Sequence, residues 1–154
     1  MKRRVSLKVG DCFVIGLPDG KRAYGQLVFV DSRMGFLVQI FDLITKEEVP
    51  VETLRTAGPL FPPVFVGLRA SIRSGRWRII GRLPIEEFVF PKFLYTHGTK
   101  PGVYDDWMVW DGGEMTFLGK LPPGLRGLEH KCIWGDELLE ERIATGKNLF
   151  EALR

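Results

Sequence analysis

Two histidines and two cysteines are the whole supply of imidazole and thiol groups in this sequence. His97, His130, Cys12 and Cys132 would together suffice for one four-ligand zinc site. None of the four belongs to a Cys-x-x-Cys or His-x-x-x-His pair, the spacings that zinc sites commonly use. We therefore predict no metal and no cofactor, with Cys12 buried in a core and both histidines solvated.

Cys132 lies two residues after His130 and is the nearest candidate for a nucleophile with its base. On a strand these two side chains would share a face, because successive side chains alternate between the two faces. A third group that orients the base is missing from the pattern. The pair therefore favours no catalytic assignment.

Acidic residues cluster between positions 105 and 114, and an acid and base pair could be drawn from them. Asp105 and Asp106 would project to opposite faces of a strand, so at most one of them can join Asp111 on a common face. We predict no catalytic residues here and no enzyme.

Acidic groups around an aromatic ring suit a basic protein partner instead. The predicted partner-binding rim is Tyr104, Asp105, Asp106, Trp110, Asp111 and Glu114; the alternative is that these residues only keep a hairpin soluble.

The densest basic stretch has one tryptophan within it, a combination that could bind nucleic acid. The alternation of side chains over residues 76–83 predicts a half-buried strand with its apolar and basic residues on opposite faces. Trp77 would then point away from the arginines, so one surface could not stack a base and neutralise its phosphate. We therefore favour a solvated strand face. The basic stretch comprises Arg69, Arg73, Arg76, Arg78 and Arg82. On the strand, Arg76, Arg78 and Arg82 lie on one face, against Trp77, Ile79 and Leu83 on the other.

The elements that must position these residues begin with three apolar runs, at 12–17, 21–30 and 36–41. Pro18-Asp19-Gly20 and the segment 31–35 carry turn residues between them, which predicts a β meander. A short helical turn is expected between Thr45 and Ala57, before Gly58-Pro59. Residues 64–67 read as a strand and 68–74 as a helical turn.

Two further runs, 103–110 and 114–121, flank Asp111-Gly112-Gly113 and predict a tight hairpin. A short helix should open at Asp136 and end before Gly146. The pattern as a whole predicts an α+β fold: a mainly antiparallel meander or partly closed barrel at the N-terminus, a further hairpin and short C-terminal helices. We expect one domain over residues 1–154.

Composition places the chain among globular proteins, with 154 residues, 45% hydrophobic and 27% charged. The net charge of +3 is too small to indicate a polyanionic partner. Two distant cysteines favour reduced thiols. Residues 1–4 could begin a signal peptide, but Lys8 and Asp11 interrupt the apolar run that should follow, and no run reaches the roughly 18 residues of a membrane helix. We expect a soluble, cytoplasmic protein that folds as a stable monomeric unit and has no membrane partner; the sequence does not give its oligomeric state.

Three segments together resemble the Imm26 family: VGDCFVIGLPDGKRAYGQLVFV (Val9 to Val30), SGRWRIIGRLP (Ser74 to Pro84) and GLEHKCIWGDELLEERI (Gly127 to Ile143). The order of the Gly-Asp-x-Phe strand, the Leu-Pro-Asp-Gly turn and the Gly-Arg-Trp strand is the most specific feature. Gly16 stands where a proline would be expected. The resemblance implies an immunity protein of a polymorphic toxin system, which binds a cognate protein toxin and neutralises it by occlusion.

A second name attached to similar sequences is a small phosphotriesterase that hydrolyses organophosphates. Two-metal hydrolysis of that kind generally needs several histidine and carboxylate ligands, and two histidines leave only a carboxylate-dominated site. Toxin neutralisation is therefore the leading hypothesis, phosphotriester hydrolysis the second and nucleic-acid binding the third.

Overall fold

The structure is a computed structural model that describes residues 5–154. The basic segment at positions 1–4, considered above as the start of a signal peptide, lies outside the described residues. The chain forms two compact units: the first comprises the described residues up to Phe88 together with Ile133–Lys147, and the second comprises Val89–Cys132 together with Asn148–Arg154. The chain thus passes three times from one unit to the other. The expectation of one domain over the whole chain stays a prediction.

Among the described residues most strands follow one another along the chain, and the helices are few and short, as is typical of an α+β fold. The α-helices are α1 (Leu68–Arg73) and α2 (Asp136–Thr145), and 3₁₀ helices span Val51–Thr56, Pro123–Leu125 and Leu149–Leu153. The strands are β1 (Asp11–Gly16), β2 (Arg22–Asp31), β3 (Gly35–Ile40), β4 (Val64–Val66), β5 (Trp77–Arg82), β6 (Phe93–Tyr95), β7 (Trp107–Trp110), β8 (Met115–Gly119), β9 (Glu129–His130) and β10 (Ile133–Trp134).

The first unit contains a six-stranded sheet in the order β10-β4-β3-β2-β1-β5. β1, β2 and β3 pair antiparallel in succession, which confirms the predicted meander. Gly20 closes the first turn at φ +84°, and the Asp31 carboxylate accepts hydrogen bonds from the backbone N–H groups of Arg33 and Met34 in the second. The α+β class is confirmed, and the sheet is open rather than a closed barrel.

Both faces of this sheet are covered by apolar groups. On one face, Cys12, Val14 and Tyr24 cluster with Leu54 of the 3₁₀ helix Val51–Thr56, together with Phe41 and Leu83. On the other face, the ring of Phe13 stacks on Trp77 with centroids 5.5 Å apart. Gly25 is required beside this stack, because a Cβ atom there would lie 2.5 Å from the Phe13 ring.

Strand β5 changes its alternation part way along. Cys12 pairs with Gly81 while the next residue, Phe13, pairs with Ile79, so Ile80 is an extra residue in a β-bulge. Beyond the bulge Leu83 packs in the Cys12 cluster, on the face opposite the Phe13–Trp77 stack. The prediction that Leu83 shares a face with Trp77 and Ile79 is therefore wrong, since strict alternation cannot include a bulge.

Helix α2 is attached to the start of β5 by one buried carboxylate. Both oxygens of Glu140 accept hydrogen bonds 2.8 Å long from the Arg76 guanidinium, and Oε2 also accepts one of 2.9 Å from Trp77 Nε1. The prediction that Trp77 points away from the arginines is thus wrong for Arg76. This residue precedes β5, so the alternation of side chains along the strand does not apply to it. The helix ends before Gly146 at φ +75°, as predicted.

The second unit contains a four-stranded sheet in the order β8-β7-β6-β9. The hairpin of β7 and β8 is confirmed: Asp111 Oδ1 accepts hydrogen bonds from the backbone N–H groups of Gly113 and Glu114, and Gly112 has φ +100°. The buried apolar residues of this sheet are Phe93, Leu94, Trp107 and Trp110. Among the described residues, no helix is long and apolar enough to cross a membrane.

Candidate binding surfaces

The six residues of the predicted rim do not form one ring. Asp105 and Asp106 precede β7, whereas Asp111 and Glu114 lie in the turn that follows it. Four strand residues separate the two pairs, a span of about 13 Å. The acidic groups therefore occupy opposite ends of the hairpin, because a short strand lies between them.

Asp106 holds a loop in place. Its carboxylate accepts hydrogen bonds from the Thr96 hydroxyl, from the Gly98 N–H at 3.0 Å and from the His97 N–H at 3.3 Å. The Thr96 hydroxyl is the main cause of a lowered pKa at Asp106, with the backbone N–H groups adding to it. Asp105 is exposed, and its Oδ1 accepts a hydrogen bond of 2.7 Å from Thr99.

At the other end of the hairpin, the pKa of Asp111 is lowered chiefly by the hydrogen bonds from Glu114 and Gly113, with a smaller contribution from the charge of Lys92. Glu114 itself is exposed. Its carboxylate and that of Asp111 are the acidic groups at this end.

The two aromatic residues of the predicted rim, Tyr104 and Trp110, are at least partly buried. Trp110 is only 7% exposed, and its ring contacts Phe90 edge to face at 5.5 Å. Tyr104 is half-buried, and its backbone carbonyl accepts a hydrogen bond from Trp107 Nε1. Trp110 therefore belongs to the apolar interior of the second unit.

Strand β8 presents exposed apolar side chains that the sequence analysis did not single out. β8 is an edge of its sheet, so one side of its backbone has no strand partner within the described residues. Phe117 is 68% exposed and Met115 is 42% exposed. Because they are two residues apart, both point to the same face. The alternation of Met-Thr-Phe was the available signal, but it does not tell which face is covered.

A cavity of about 450 Å³ opens on the first unit, beside the Cys12 cluster. Its lining includes Gln26 and Gln39, which are directly opposite each other on β2 and β3. Glu86 and Glu87, from the segment that follows β5, also line it. No feature of the sequence pointed to these residues as a set, because they come from three separate segments.

Four of the five arginines of the predicted basic stretch are engaged within the first unit. Arg82 forms an ion pair of 3.0 Å with Asp11, and Arg78 pairs with Glu48. Arg69 donates a hydrogen bond to the backbone carbonyl of Val5, and Arg76 is bound by Glu140. Arg76, Arg78 and Arg82 therefore each have a carboxylate partner within the first unit.

His130 is buried, so the prediction that both histidines are solvated is wrong for this residue. Its ring stacks on Phe150 with centroids 4.1 Å apart, because β9 pairs parallel to β6 and turns His130 inward. Burial, reinforced by the charge of Arg154, lowers the pKa of His130 to about 4. His97 is exposed.

Cys12 is fully buried, as predicted. Burial is the main reason that its pKa rises to about 11, so the thiol stays protonated at neutral pH. Within residues 5–154, no three or more His, Cys, Asp and Glu side chains are grouped so that they could hold a metal ion.

Comparison with known proteins gives one positive finding. No curated protein and no solved structure matches the chain significantly. The family model described as Immunity protein 26 matches residues 8–101, which is more than half of the chain. That range includes the meander, β5 and the cavity, whereas the segment Gly127 to Ile143 that also carried the resemblance lies outside it. The chain therefore belongs to the Imm26 family of immunity proteins.

Proposed function

We propose that this protein binds a cognate protein toxin and neutralises it by covering the surface that the toxin needs for its activity. Membership of the Imm26 family, through the match over residues 8–101, is the observation that carries this proposal. An immunity family implies a role without catalysis. The cognate toxin would be a protein made by the same cell or its kin.

The arrangement of reactive side chains also favours binding over catalysis. The carboxylates of Asp106 and Asp111 accept hydrogen bonds from their own loops, which uses their acceptor capacity for structure. The Cys12 thiol is buried and protonated, and His130 is buried and neutral. These contacts and protonation states favour structural roles for the four groups.

The hairpin formed by β7 and β8 is one surface that we propose for the toxin. Residues 103–119, here called the acidic hairpin, contain four carboxylates and no lysine or arginine, in a chain whose net charge is +3. Exposed Phe117 and Met115 provide apolar area on its edge strand. An apolar patch with charge at its rim is typical of protein interfaces, and an edge strand can pair with a strand of a partner.

Co-expression tests the proposed function. The toxin domain encoded beside this gene should stop growth when expressed alone, and this protein should restore growth. A truncated copy that lacks the second unit's hairpin cannot serve as a control, because it would expose apolar residues; an unrelated immunity protein is the suitable control. Failure of growth to recover, with both proteins present at comparable levels, would count against the proposal.

Substitutions in the acidic hairpin test where the toxin binds. We expect Phe117→Ser combined with Glu114→Gln to weaken toxin binding at least about tenfold, because the change removes an apolar anchor and a neighbouring charge. Isothermal titration calorimetry of the purified pair measures this. Asp106 should be left intact, since it holds residues 96–98.

The matched control is Leu138→Ser combined with Glu141→Gln, on α2 of the first unit. Leu138 is 51% exposed, so the control makes the same types of change at an exposed site outside the hairpin. Equal affinities of the hairpin variant and the unchanged protein would place the toxin on another surface.

A further inference from the structure

The cavity of the first unit contains polar side chains on a sheet face that is otherwise apolar. Gln26 pairs directly with Cys12 on one side and with Gln39 on the other, so all three side chains point to the same face. Gln26 is only 7% exposed. Two amides at such positions lose hydration on folding, a cost that apolar residues would avoid.

Each glutamine is held in one orientation by its amide nitrogen. Nε2 of Gln26 donates to the carbonyls of Leu83 and Gly10, at 2.9 and 3.3 Å, and Nε2 of Gln39 donates to those of Ile40 and Phe61, both at 3.1 Å. The amide oxygens are then the groups left to accept hydrogen bonds. Within residues 5–154 neither oxygen has a donor. The two amide oxygens are therefore hydrogen-bond acceptors in fixed positions at the cavity, and no group in the described part of the first unit donates to them.

The charges around the cavity are mainly negative. Glu86 and Glu87 line it, and both are exposed. Arg55 is the basic residue of the lining, and its guanidinium is bound by Glu52. A ligand that enters therefore meets amide acceptors and the carboxylates of Glu86 and Glu87. Glu86 also interacts with the charge of Arg55, whose guanidinium is hydrogen-bonded to Glu52.

We infer that this cavity binds the cationic end of an arginine or lysine side chain of the toxin, an inference that rests on the proposed function. The donors of a guanidinium or ammonium group would reach the oxygens of Gln26 and Gln39, and its charge would lie near Glu86 and Glu87. Val28, Phe41 and Leu83 in the lining would contact the methylene stem. The volume of about 450 Å³ is sufficient for one such side chain.

Small probes test the cavity without the toxin. N-acetyl-arginine methylamide should bind the purified protein with a Kd of about 1 mM and shift the amide resonances of Gln26 and Gln39 in NMR spectra. N-acetyl-citrulline methylamide has nearly the same shape without the charge and should bind at least about tenfold more weakly. Equal binding of the two probes, or binding of N-acetyl-glutamate methylamide in their place, would overturn the inference.

Variants test which residues recognise the cation. Glu86→Gln with Glu87→Gln should weaken binding of the arginine probe about fivefold, because two rim charges are removed. Glu47→Gln with Glu141→Gln removes the same charge at exposed positions outside the lining and should leave binding unchanged. Gln39→Leu, which keeps a side chain of similar size, should weaken the probe further. An unchanged Kd in both cavity variants would contradict the assignment.

The toxin then separates this inference from the proposed function. If the toxin binds the unchanged protein and both cavity variants equally, the protein still neutralises a toxin, but the cavity is not part of the interface. If the arginine probe binds as described and no toxin binds, the proposed function fails and the inference about a toxin side chain fails with it. If the cavity variants bind the toxin more weakly and the Glu47→Gln and Glu141→Gln control binds it normally, the result supports both the proposed function and the inference about the cavity.

Discussion

Replacing Glu140 with alanine should lower the free energy of unfolding of this protein by about 3 kcal/mol. The Glu140 side chain is only 7% exposed, and it accepts the hydrogen bond of the Trp77 indole N–H. Trp77 is itself 1% exposed, so without Glu140 its N–H would be buried without an acceptor. Arg76 is partly exposed and can turn to water, which limits the cost at that residue. Urea unfolding followed by circular dichroism measures the change.

Glu137 provides a control on the same helix. Its carboxylate is 82% exposed and lies 3.8 Å from the Arg76 guanidinium, so Glu137→Ala should change the stability little. Glu140→Gln should be intermediate, because an amide oxygen can still accept from Trp77 while the charge is lost. Equal stabilities of the Glu137 and Glu140 alanine variants would show that α2 is held by its apolar contacts alone.

Acidification from pH 7 to pH 5 should lower the free energy of unfolding by about 2 kcal/mol through His130 alone. The pKa of His130 is about 4 in the folded protein, against an ordinary value of 6.5. Between these values the unfolded chain binds a proton that the folded protein does not, so stability falls as the pH falls. The ring stacked on Phe150 must stay neutral, because burial disfavours its charged form.

Histidine variants isolate this contribution. His130→Gln should remove most of the loss of stability between pH 7 and pH 5, whatever its effect on stability at pH 7. His97→Gln, at an exposed histidine of the second unit, is the matched control variant. Urea unfolding at each pH, followed by tryptophan fluorescence, provides the comparison. If His130→Gln retained the full dependence on pH, some other group would have to be its cause.

The strands and turns were predictable from the sequence because each carries a local signal. Asp19-Gly20 and Asp111-Gly112 mark turns with positive φ at glycine, and the apolar runs between them have the length of strands. The helix from Asp136 to Gly146 likewise has recognisable ends. The division into two units was not predictable, because α2 joins the first unit only through contacts with residues far away in sequence, such as Arg76.

The candidate surfaces were less predictable, because they depend on which side chains are buried by neighbouring elements. The four acidic positions of the hairpin were identified, but the burial of Trp110 required knowledge of Phe90. The bulge at Ile80 moves Leu83 to the other face, and the only signal for it in β5 is the neighbouring Gly81, which has φ +155°. Gln26 and Gln39 lie in different strands, so their adjacency follows only from the pairing register.

Titration of a purified toxin domain with this protein tests the central claim most directly. The toxin domain is the one encoded by the adjacent gene, and its own activity is the quantity measured. If the protein neutralises the toxin by covering its working surface, activity should fall in proportion to the protein added and vanish near one molar equivalent. Full toxin activity in the presence of about a tenfold molar excess of folded protein would contradict the account.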